Sequence, residues 1–107
     1  MDKPESFANR INNTKRQKSS NIVLAIDPTY EVENLFDYVC YIIDQVHNYI
    51  CAIKLNFHVI LPLSKIELKK ITQIAHEDNL QIIADIKLND IFDTNKVTIQ
   101  YLSSSGF

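Results

Sequence analysis

The chain has 107 residues, of which 46% are hydrophobic and 22% charged, and its formal net charge is −2. That length fits one small domain, and that charge offers no general attraction to nucleic acid or to an anionic membrane surface. A single glycine, Gly106, excludes the glycine-rich phosphate loops from this stretch of chain.

Residues 1–20 read as a polar leader with helical character, in which Phe7 and Ile11 share one apolar stripe. The segment lacks the apolar run of a signal peptide. No stretch approaches the ~20 apolar residues of a membrane helix. Lys15, Arg16 and Lys18 form a small basic cluster, read as a solvated helix face. "NIVLAID" (21–27) is a continuous apolar run with branched residues, as expected for a strand buried on both faces of a parallel sheet. The following segment (28–49) places Val32, Leu35, Phe36, Val39, Ile43 and Val46 at helical spacing, so an amphipathic helix is expected there. "ICAIKL" (50–55) is a second strand.

"SKIELKKITQIAHED" (64–78) is a second helix with a defined start. Ser64 and Glu67 have capping-box spacing, and Leu63 with Leu68 has that of a hydrophobic staple. Leu68, Ile71, Ile74 and Ala75 form its expected buried stripe, and Asn79 its stop. "LQIIADIK" (80–87) is a third strand, and residues from about Asp90 to Leu102 form a third helix leading to "SSSG". Cys40 and Cys51 lie in apolar runs without C-x-x-C spacing, which points to reduced, buried thiols in a cytoplasmic protein. His47 and His76 fall on helices and His58 in a loop, with no partner at metal-ligand spacing.

Strand alternating with helix three times argues for right-handed βαβ units and a parallel sheet. An open doubly wound sheet and part of a (β/α)8 barrel both fit this order. Each strand is apolar until its carboxyl end and then carries charge: Asp27 on the first, Lys54 on the second, Asp85 and Lys87 on the third. Ligands of parallel α/β folds bind at that edge. Strand alternation puts Asp85 and Lys87 on one face, and Asp90 follows at the start of the next helix. Taken singly, each has a bland explanation: Asp27 as a turn residue, Lys54 as a snorkelling strand end, Asp90 as an N-cap, Thr94 as helix surface. An Asp85–Lys87 pair kept for stability alone is a weak device, because desolvation offsets much of the attraction. The set together points to a site.

"DIKLNDIFDT" resembles the D-x-K-x-x-D-I-x-x-T motif of the orotidine 5′-phosphate decarboxylase family, with Asp85, Lys87, Asp90, Ile91 and Thr94 in its defined positions. "VLAID" and "AIKL" resemble that family's first and second strands, carrying Asp27 and Lys54. The resemblance runs from about residue 5 to 107. Magnesium-dependent sugar-phosphate decarboxylases and aldolases of the same superfamily share the Asp-x-Lys-x-x-Asp core but characteristically have Glu where this chain has Lys54.

The resemblance implies a TIM barrel, a homodimer, a small-molecule substrate, no cofactor and no metal. It implies that Asp27 and Lys54 hold ribose hydroxyls. Asp85, Lys87, Lys54 and the neighbouring subunit's copy of Asp90 would form an alternating-charge network. Ile91 and Thr94 would lie on the segment reaching across the dimer. Lys87 would stabilise a carbanion and protonate it, with flanking carboxylates favouring its charged form. A (β/α)8 barrel needs roughly 200 residues or more, so residues 1–107 are expected to be the N-terminal part of one barrel domain: a leader helix region (1–20) and three βα units (21–107). A chain ending at Phe107 would be a non-catalytic half-barrel.

Overall fold

The computed structural model describes residues 3–28 and 31–107. Helix α1 (Phe7–Lys18) leads into strand β1 (Val23–Ile26), helix α2 (Leu35–Val46), a 3-10 turn (His47–Tyr49) and strand β2 (Ala52–Asn56). Short helix α3 (Phe57–Ile60), helix α4 (Lys65–Glu77), strand β3 (Gln81–Asp85) and helix α5 (Phe92–Ser104) complete the order. Among the described residues the three strands form one parallel sheet in the order β1-β2-β3. Thr29 and Tyr30, within the span expected for the first amphipathic helix, lie outside the described residues, as do Met1 and Asp2 of the leader.

Side-chain alternation divides the sheet into two faces. Leu24, Ile26, Ile53, Leu55, Ile82 and Ala84 join the helix residues Val39, Ile43, Leu68, Ile71 and Ala75 in one apolar cluster. Ile53, Leu55, Leu68 and Ile71 are completely buried, which stabilises by about 1.5–3 kcal/mol per side chain. The opposite face carries Ala25, Lys54 and Ile83 in one register row and Asn56 beside Asp85 in the next. That face is half-buried to exposed at these positions.

The start of α4 forms as its sequence predicts. Ser64 Oγ accepts the Glu67 amide at 3.1 Å and Glu67 Oε1 accepts the Ser64 amide at 3.0 Å, while Leu63 and Leu68 are both buried. Asn79 takes a left-handed φ of 59° just past the helix, a conformation Asn tolerates better than most residues. The "SSSG" exit is more than a polar tail. Ser105 is fully buried and its carbonyl accepts Thr72 Oγ1 at 3.0 Å. Gly106 adopts φ 106°, and a Cβ there would lie 2.2 Å from Thr72 Oγ1, so both conformation and space require glycine.

Several expected boundaries and surroundings are revised. The leader is a capped 12-residue helix, with Ser6 Oγ accepting the Asn9 amide. Lys18 is no solvated surface charge: its ammonium donates to the carbonyls of His47 at 2.8 Å and Asp78 at 2.6 Å. It thereby ties α1 to two helix-end carbonyls. His58 lies on α3 and not in a loop, because the four residues after β2 make one helical turn. Strand β3 stops at Asp85, two residues before Lys87, and α5 begins at Phe92 and not at Asp90.

Candidate functional site

The polar residues singled out by the sequence gather at the carboxyl edge of the sheet. Lys54 is the third residue of β2, flanked in register by Ala25 and Ile83. Asp85 closes β3 one row higher, opposite Asn56. This diagonal puts Lys54 Nζ 3.5 Å from Asp85 Oδ2. Lys87 returns to the same carboxylate from the loop beyond β3, its Nζ 3.7 Å from Asp85 Oδ1. One carboxylate thus lies between two ammonium groups, each facing a different oxygen.

Exposure differs along this array. The side chains of Asp85 and Lys54 are 27% and 39% exposed, whereas that of Lys87 is 90% exposed. The buried end is anchored by strand backbone, and the open end is the ammonium. A cation held beside its counter-ion but still open to an incoming group can meet developing negative charge. Two contacts of ~3.5 Å with water access contribute little to stability, on the order of 0–1 kcal/mol each.

The remaining predicted residues are distributed around this array. Asp27 follows β1 directly and is exposed on the same edge. Asp90 is exposed as well. Its Oδ1 accepts the Ile91 amide at 2.7 Å and its carbonyl accepts Asn95 Nδ2 at 2.9 Å. Ile91, and not Asp90, occupies the N-cap position of α5. Among the described residues neither Lys54 nor Lys87 forms an ion pair with Asp90. Ile91 is 69% exposed and Thr94 is exposed, so the first turn of α5 turns outward with Phe92, at 75% exposure, beside it. The structure therefore joins Lys54, Asp85 and Lys87 in one array and leaves Asp27, Asp90, Ile91 and Thr94 around its rim.

Two further polar groups lie on this edge, Asn56, which went unnoticed in the sequence, and His58, which was read there as a loop residue. Asn56 is the register partner of Asp85 and sits at the N-cap of α3, yet makes no side-chain cap bond. His58 Nε2 lies 2.9 Å from the Pro28 carbonyl. The two-residue spacing of Lys54 and Asn56, matching that of Asp85 and Lys87, was the available signal for Asn56.

Both cysteines are free thiols, Cys51 buried and Cys40 half-buried. Burial, and then the neighbouring Asp37, push the Cys40 thiol above its ordinary pKa. No helix among the described residues is long and apolar enough to cross a membrane.

A model of the orotidine 5′-phosphate decarboxylase / HUMPS family matches residues 20–107. No curated protein matches the chain, and no solved structure does. The family match takes in all three strands and the whole charged edge. The chain therefore belongs to the orotidine 5′-phosphate decarboxylase / HUMPS family, a family of decarboxylases and lyases.

Proposed function

We propose that this protein is an orotidine 5′-phosphate decarboxylase, converting orotidylate to UMP and CO2 in pyrimidine biosynthesis in the cytoplasm. The observation that carries the reading is the Lys54–Asp85–Lys87 array at the carboxyl edge of a parallel sheet. Losing CO2 from C6 of the pyrimidine breaks the bond to the carboxylate carbon and leaves the electron pair on C6. Lys87's ammonium stabilises that charge and then donates its proton to C6. Asp85 holds the ammonium in place. It also lies where it opposes the substrate carboxylate, a destabilisation relieved as CO2 departs. Asp27 and Lys54 bind the ribose hydroxyls.

In this reading residues 1–107 are the opening part of one (β/α)8 barrel, and the uncovered sheet face is the barrel interior. The molecule is a homodimer in which the outward-turned start of α5 carries Asp90, Ile91 and Thr94 to the neighbour's site. That arrangement accounts for an exposed apolar pair, Ile91 and Phe92, beside a carboxylate without a cationic partner among the described residues. Magnesium-dependent chemistry on a sugar phosphate is the other activity within reach of the family. Lys54 argues against it, because an ammonium 3.5 Å from Asp85 already occupies the place of a metal beside that carboxylate.

The test is a UV assay following loss of orotidylate by the purified protein, with and without EDTA. Turnover that EDTA leaves unchanged is the expected result. Activity on a sugar phosphate that EDTA abolishes would replace this reading with the magnesium-dependent one.

A further inference from the structure

His58 is the second residue of α3 and is half-buried. Its Nε2 lies 2.9 Å from the carbonyl oxygen of Pro28. A carbonyl only accepts, so Nε2 carries the proton in this contact. The bond spans two turns at the carboxyl edge of the sheet. One leaves β1 through Asp27 and Pro28, and the other leaves β2 through Asn56 into α3. Pro28 has no amide hydrogen, so its carbonyl is the backbone polar group through which this residue can be held. Asp27 thus lies between Ile26, which is 3% exposed, and a tethered Pro28, while being itself exposed.

We propose that His58 is a positioning residue for Asp27. By holding the Pro28 carbonyl it fixes the backbone on the open side of Asp27 and sets the direction of that carboxylate relative to Lys54. The proposal rests on the orotidylate reading, in which Asp27 and Lys54 share the ribose. Displacement of a binding group by ~1 Å is enough to cost a large factor in a tightly oriented site. A residue at an exposed strand end therefore needs such a tether.

The experiment is steady-state kinetics on orotidylate of the whole barrel protein that residues 1–107 open, with His58→Ala, His58→Gln, Asp27→Ala and the His58→Ala/Asp27→Ala pair. His58→Ala is expected to raise KM roughly 5–20-fold with kcat within about 2-fold, the pattern of lost substrate binding. His58→Gln, which can still donate to the carbonyl, recovers most of the loss. In the Asp27→Ala background the His58→Ala change has no further effect, because the two act as a unit. An unchanged KM, or an equal penalty with and without Asp27, overturns the proposal. If the wild-type protein turns over no orotidylate, it is the decarboxylase reading that falls. The tether is then judged by hydrogen exchange at residues 25–27: faster exchange in His58→Ala supports it, and unchanged exchange overturns it.

Discussion

The two edges of the sheet are built from opposite materials. At the amino edge, α1 docks through paired, mostly uncharged groups. Arg10 Nε donates to Gln81 Oε1 at 3.0 Å, Gln81 Nε2 donates to Thr14 Oγ1 at 3.3 Å, and Asn79 bonds Gln17. Thr14 is 2% exposed. At the carboxyl edge, charges are crowded together and left open, with Lys87 at 90% exposure. Arg10, Thr14 and Gln81 at the amino edge bond one another within the fold, whereas the charged groups at the carboxyl edge are left open. In barrels of this kind the amino face serves stability and the carboxyl face chemistry. The three strands described show the same difference in materials between their two edges.

Substitutions at the two edges should therefore separate activity from stability. The largest effect is expected for Lys87→Ala, which should lower orotidylate turnover by ~10²–10⁴-fold or more, as the loss of a proton donor does. Its melting temperature should barely move, because an exposed ion pair contributes at most about 1 kcal/mol. Near-normal turnover would remove Lys87 from the chemistry. The opposite pattern is expected for Lys18→Met, which strips two charge-assisted bonds from helix-end carbonyls. It should cost on the order of 1.5–3 kcal/mol in urea unfolding while the activity per folded molecule stays at the wild-type level.

The smallest effect belongs to Cys40, which is on α2 and at neither edge. Its pKa is raised on folding by burial first and Asp37 second. The unfolded chain thus ionises this thiol at lower pH than the native one. Native stability should fall slightly as pH climbs through and above the ordinary thiol range, and be unaffected below it. The slope should disappear in Cys40→Ala, as unfolding midpoints measured across that pH range would reveal.

The carboxyl edge was more legible in the sequence than the amino edge, for a physical reason. Strands buried in a parallel sheet appear as apolar runs, so a charge at the end of each run stands out. Asp27 and Asp85 were placed at strand ends by that logic alone, whereas Lys54 is the third of the five residues of β2. Ser64 with Glu67 and Asn79 were legible because capping is local and depends on spacing within a few residues. The docking of α1 was hidden. Thr14, Gln17 and Gln81 are ordinary polar residues, and their partners lie more than 60 positions away. Helix α3 was missed because four residues are too few to display a period. Lys87 was assigned to the strand because alternation alone does not mark where pairing stops, and its approach to Asp85 depends on the loop beyond β3.

The contacts of α1 also bear on the order in which the molecule assembles. Its partners at Asp78, Asn79 and Gln81 are separated from it by 60 to 71 positions. Whereas the bond from Lys18 to the His47 carbonyl spans 29 positions, those contacts form only once the third strand has been made. Closing a loop of that length carries an entropic cost that only the assembled sheet can offset. The three βα units, each packed on the next, can grow by shorter-range steps, so the full docking of α1 is expected to come late.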